Sequence, residues 1–169
     1  NQRDKKMKVL KLSLLFALSC LLSACATASL PSLPPNAPVS YTSTPISCVP
    51  YARDVSGIQI TGDAYTWWNA AAPRYQRAQT PCPGSVLVLD RTSKMKSGHV
   101  ATVNRVIDAR HITVNHSNWG NNSGRRRVIY HDMPVEDISP ANNWTSVKFW
   151  NYEVNSYGFP YKAKGFILP

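Results

Sequence analysis

Two hydrophobic patterns divide the chain. From Val9 to Ala24 apolar residues follow one another with few polar interruptions, whereas from Val86 onward they come in short runs and alternations set between turn residues. The first stretch follows a basic segment holding Lys5, Lys6 and Lys8, and at about 16 residues it falls short of the roughly 20 that a spanning helix needs. It reads as the apolar core of an export signal. Further on, Val86-Leu87-Val88-Leu89 is a continuous apolar run, which predicts a strand buried on both faces. Strands are also expected over 99–106, 111–116, 126–131, 145–150 and 165–168. Ser47 is a good cap for a helix over 47–55, ended by Gly57. A second helix should begin at Gly62-Asp63 and stop at Pro73. Helices followed by successive strands predict an α+β domain, with N-terminal helices packed on an antiparallel sheet of about five to six strands. No internal repeat or second domain is visible.

The alternation also places chemistry. Strand side chains alternate faces, so His99, Ala101 and Val103 share one face, as do Ile112, Val114 and His116. A hairpin turning at Ile107-Asp108 would set His99 directly opposite His116. A slip of one residue would send the two imidazoles to opposite faces. Cys48 opens the helix Cys48-Val49-Pro50-Tyr51-Ala52-Arg53, where the positive end of the helix dipole favours a thiolate. A histidine can take the thiol's proton and return it to a leaving amine, provided a third polar group holds its ring in one tautomer. His116 is the candidate for that group. Because an ordinary histidine titrates near neutrality, activity is expected to fall on mild acidification.

The apolar run ends in Leu22-Ser23-Ala24-Cys25, which resembles the lipobox of bacterial lipoproteins. The resemblance implies removal of residues 1–24, of which 1–6 are read as an upstream extension before Met7, and lipidation of Cys25; an ordinary signal peptide cut after Ala24 or nearby, with Cys25 unmodified, is the plain alternative. Residues 25–44 then form the lipidated cysteine and a Pro/Ser-rich tether, and 45–169 the folded domain. The expected location is the cell envelope: Ala26 after Cys25 resembles outer-membrane lipoproteins, with the domain facing the periplasm. Loss of residues 1–24 takes away five basic groups and one acid, lowering the formal net charge from +10 to +6. Arg125-Arg126-Arg127 supplies part of this excess, which suits an acidic polymer or anionic lipid; a solvated loop without a partner is the plain alternative. Nucleic acid is a poor partner for an exported chain.

The segments SCVPYARDVSGIQITGDAYTWW, PCPGSVLVLD, SGHVATVNRV and ITVNHSNWG resemble the CHAP domain, the cysteine, histidine-dependent amidohydrolase/peptidase module of the papain-like, NlpC-type superfamily. The resemblance implies Cys48 as nucleophile and His99 as general base, with His116 orienting His99 and Asn118 as helper. Many members carry Glu where His116 stands, so here the third group is a neutral acceptor, as in related peptidases that use His. Of the adjacent Trp67 and Trp68, one is expected in the core, and structural packing is the default reading; the family pattern around Gly62, Asp63, Ala64 and Trp67 suggests Trp67 as a cleft residue, and Trp119 is expected to border the site. The activity implied is hydrolysis of an amide bond in peptidoglycan, without cofactor or metal, by a monomer. A catalytically inactive wall-binding lipoprotein and an amidase or acyltransferase acting on a non-wall peptide conjugate are the alternatives.

Cys20 falls inside the signal, leaving Cys82 as the one further cysteine that could pair with Cys48. Its turn setting, Pro81-Cys82-Pro83-Gly84, has no catalytic company, and Cys48 is read as a nucleophile rather than half of a disulfide. Cys48, His99 and His116 are zinc-ligand types but lack ligand spacing. His111 and His131 are expected at the surface.

Overall fold

The computed structural model describes residues 38–120 and 125–169. The export signal, Cys25 and the first part of the tether lie outside the described residues. Within them run strand β1 (Val39–Tyr41), helix α1 (Cys48–Ser56), a 3-10 turn (Ala64–Thr66) leading into helix α2 (Trp67–Ala71), and strands β2 (Arg77–Ala78), β3 (Val86–Leu89), β4 (His99–Val106), β5 (His111–Ser117), β6 (Val128–Asp137), β7 (Ser146–Asn151) and β8 (Ser156–Ile167). Every pairing is antiparallel. Strands β3, β4, β5, β6, β7 and β8 pair in sequence, and β8 returns to β3, closing a six-stranded barrel; β1 adds to β6 and β2 to β8.

The expected antiparallel sheet is therefore present, but the expected layer of N-terminal helices is not. The helix begun at Cys48 has nine residues, and the second is a 3-10 turn followed by a five-residue helix. Closure explains the difference. A barrel buries one face of every strand against the other strands, so little apolar surface is left for helices to cover. Leu87, Leu89, Ala101, Val103, Ile112, Val114, Val135, Val147, Phe149 and Phe166 fill the interior. Val86, Val88 and Val100 point outward against Ala52, Ile58, Ile60, Trp67 and Ala71. The unbroken apolar run of β3 follows from this double burial. Sheet pairing also takes in Val39–Tyr41, inside the segment read as tether.

The β4–β5 hairpin differs from the expected register. Thr102 pairs with Asn115 and Val103 with Val114, which brings His116 level with Ala101 rather than with His99. The Asp108 carboxylate accepts from the N–H groups of Arg110 and His111 at 2.8 and 2.9 Å, moving the turn beyond Ile107-Asp108. Beside the turn the slip is three residues, Arg105 pairing with Thr113 and Val106 with Ile112, and a bulge between Val103 and Arg105 cuts it to two at the histidines, so both imidazoles stay on the interior face.

Candidate functional site

At the start of α1, Ser47 is extended but makes no side-chain cap hydrogen bond. The N–H groups of the first turn are thus left for other partners, and Pro50 brings none of its own. Cys48 is 7 % exposed and packs in the cluster between the helices and the outer face of the barrel. Burial pushes its thiol above the ordinary range, while hydrogen bonding from the backbone of Val100, Val49 and Cys48 itself acts in the opposite direction. The expectation that the helix dipole alone would favour a thiolate is corrected: in the folded chain desolvation outweighs it. Val100, which supplies one of these hydrogen bonds, follows His99 on β4.

His99 and His116 point into the end of the barrel, 2 % and 1 % exposed. His99 Nε2 and His116 Nδ1 are 2.8 Å apart, a hydrogen bond between two neutral rings. Burial holds His99 down to about 3 and His116 well below its ordinary value, the neighbouring His99 adding to the effect on His116. The expectation that His116 titrates near neutrality is therefore overturned by the aromatic, water-poor surroundings. Trp119 lies against both imidazoles, with ring centres 4.7 Å from His99 and 5.3 Å from His116. Phe149 stacks on His116 at 5.5 Å, and Tyr130 packs at the same distance.

Asn118 stands at the end of β5 with φ 57°, and its Oδ1 accepts from Arg125 Nε at 3.0 Å. Its amide oxygen is thus committed to the arginine run rather than to His99. Arg127 donates to the carbonyls of Ser43 and Thr42. Trp67 does not line a cleft: it is fully buried in the helix-side core. The G-D-A-x-x-W pattern marks a packing element here, because Gly62, Asp63 and Ala64 form the turn that drops Trp67 onto β3 and β4. Cys48 and Cys82 are both free thiols. His111 binds the Asp108 carboxylate at 2.9 Å and His131 the Ser40 hydroxyl at 2.7 Å, both away from the site.

A cleft of about 1100 Å³ opens onto His99 and Trp119. Tyr130, Met133, Phe149, Trp150 and Tyr161 line it from β6, β7 and β8, and Lys94, Lys96 and Arg125 place cations around it, with Glu153 as the carboxylate. Sequence reading missed the contributions of these last three strands. Alternation in Val147-Lys148-Phe149 marks Phe149 as inward, yet only barrel closure brings it to His116. Among the described residues no group of three or more His, Cys, Asp or Glu side chains is placed to hold a metal ion.

Gly98 fixes the entry to β4. Its φ is +68°, and a Cβ there would lie 2.8 Å from Tyr65 backbone nitrogen and 2.9 Å from Leu89 oxygen. Gly98→Ala is expected to destabilise the fold by about 2–4 kcal/mol, combining left-handed strain with a backbone clash. Urea unfolding checks this; an unchanged midpoint would refute it.

A helix-borne thiol that takes a hydrogen bond from the backbone of Val100, the residue after His99, together with a paired His99 and His116 on an antiparallel barrel, is an arrangement of the cysteine–histidine type. A model of the CHAP domain matches residues 39–118, a span that contains Cys48, His99, His116 and Asn118. The chain carries a CHAP domain, a module of the amidase- and peptidase-type hydrolases. A search of curated proteins finds no match to the chain.

Proposed function

We propose that this protein is a lipid-anchored peptidoglycan hydrolase that cleaves an amide bond through Cys48. The observation that supports it most directly is the His99–His116 hydrogen bond of 2.8 Å, on the strand whose next residue, Val100, hydrogen-bonds the Cys48 thiol. Thiol and imidazole both rest neutral, so proton transfer from Cys48 to His99 accompanies attack on the amide carbonyl. The N–H groups at the start of α1 offer donors to the oxyanion. His99 then protonates the leaving amine, and water activated by the same imidazole releases the thioester. His116 orients His99 as a neutral partner and supplies no full charge to the imidazolium.

The cleft's aromatic walls suit sugar and apolar peptide surface, and its cations suit the carboxylates of a wall peptide. Incubating the purified chain with isolated sacculi and identifying released muropeptides by mass spectrometry tests the reading. Soluble products that disappear on thiol alkylation support it. Binding without any product would favour a wall-binding role instead.

Anchoring rests on Leu22-Ser23-Ala24-Cys25. Cys25→Ala is expected to abolish acylation and leave unprocessed precursor. Globomycin-insensitive, unacylated wild-type protein in the soluble fraction would overturn it.

A further inference from the structure

We infer that Met133 is a positioning residue for the proposed cysteine chemistry, its thioether fixing the tautomers of both histidines so that His99 keeps an unprotonated nitrogen, Nδ1, outside the histidine pair and free to act as the base. The inference rests on the catalytic reading of Cys48 and His99. His116 Nε2 lies 3.2 Å from Met133 Sδ, and His116 Nδ1 lies 2.8 Å from His99 Nε2.

The assignment follows from what each atom is able to do. A thioether sulfur has no proton and only accepts. His116 Nε2 must therefore be the donor in that contact. A neutral imidazole carries one N–H, so His116 Nδ1 is left as an acceptor. It accepts from His99 Nε2–H, and neutral His99 in turn carries its lone pair on Nδ1. That nitrogen is the one free of the histidine–histidine bond, and a lone pair is what a general base needs. Both rings are all but buried, and their neighbours Trp119, Tyr130 and Phe149 carry no charge, which keeps them in the neutral forms the assignment requires.

The fold gives Met133 this role. It pairs with Val114 across β5 and β6, and the register shifts between Val114 and His116. Val114 and His116 share the interior face, so the side chain opposite Val114 lies beside the next inward residue. Met133 is 1 % exposed, so water does not compete for the His116 N–H. The sulfur thus stands where an orienting histidine elsewhere would meet a carbonyl or a carboxylate. It is a weak acceptor, and it selects a tautomer without adding negative charge.

Nitrogen-15 NMR of the imidazole rings in the purified full chain, held in detergent micelles, reads the tautomers directly. Wild-type protein is expected to show His116 protonated on Nε2 and His99 protonated on Nε2. A His116 signal protonated on Nδ1 would overturn the inference without bearing on whether the protein hydrolyses the wall. Met133→Leu keeps apolar volume but removes the acceptor. It is expected to lower kcat about tenfold with KM little changed, and to mix the His116 tautomers. Met133→Gln, whose amide oxygen restores an acceptor, is expected to recover both the single tautomer and most of kcat. A loss of kcat in Met133→Leu with tautomers unchanged would assign the effect to packing and refute the positioning role. If wild-type tautomers are as assigned yet no muropeptide is released, the hydrolase reading fails while the tautomer lock stands.

Discussion

Cys48→Ala protein releases no measurable muropeptide from sacculi, a loss of about four to six orders of magnitude, while its barrel stays folded. The rate effect follows from removing the atom that forms the covalent bond; no neighbouring group among Val49, Val100 and Ala52 is able to replace it. Stability changes little, because the substitution deletes one sulfur from a site already packed against Ala52, at a cost of about 1 kcal/mol. Circular dichroism and urea unfolding separate the two effects. The buried, neutral thiol adds a second signature: alkylation of Cys48 by iodoacetamide should rise steadily with pH through neutrality into the alkaline range, since its titration is pushed up by burial. A rate that levels off below pH 7 would show a thiolate already formed. Full hydrolysis by Cys48→Ala protein would end the cysteine mechanism altogether. Cys82→Ser is the matched control: the thiol is free and lies in the turn closed by Ser85, so activity should be retained.

The features legible in the sequence were those set by local rules. Double burial of Val86–Leu89 showed in its unbroken apolar run, and the interior face shared by His99 and His116 showed in strand alternation. Closure of the sheet left no comparable trace. Strand β6 is interrupted by Asp132, with φ 51°, and by Pro134, so only its first residues read as a strand. Strand β8 runs from Ser156 to Ile167 through Gly158, Pro160 and Gly165, residues that usually end strands, and only its last turn of sequence stood out. Those two strands, with β7, complete the barrel. They also bring Met133, Phe149 and Tyr161 to the histidines, so missing the closure meant missing the floor of the site. Burial was hidden for the same reason. Nothing local to His116 announces that Trp119, Tyr130 and Phe149 enclose it, and an enclosed imidazole behaves quite unlike an exposed one.

That enclosure makes mild acid a stability problem before it becomes a catalytic one. His99 is held down to about 3 in the folded chain, whereas the unfolded chain titrates near 6.5. Below pH 6.5 the unfolded state therefore binds the proton that the folded state refuses, and the histidine's contribution to stability, fully present at neutral pH, is lost as the pH falls toward about 3. Each such histidine steepens the dependence by about 1.4 kcal/mol per pH unit. Between pH 6.5 and 5, His99 alone should remove about 2 kcal/mol, and His116, lowered by the same burial and by its neighbour His99, acts in the same direction. That is a substantial share of a typical domain's 5–15 kcal/mol. Carboxylates contribute at lower pH: Asp90, held down by its hydrogen bond to Lys164, loses its pairing only below the usual carboxylate range. Urea unfolding at pH 7, 6 and 5 should show the midpoint falling with the uptake of close to two protons. His116→Gln, which cannot titrate, should reduce that uptake by about one. Over the same range, kcat/KM of the folded protein should stay nearly flat, because both imidazoles remain neutral until the barrel opens. A midpoint that does not move between pH 7 and 5, or an activity that drops near pH 6 while the fold persists, would mean that water reaches the histidine pair and that its neutrality is not enforced by burial.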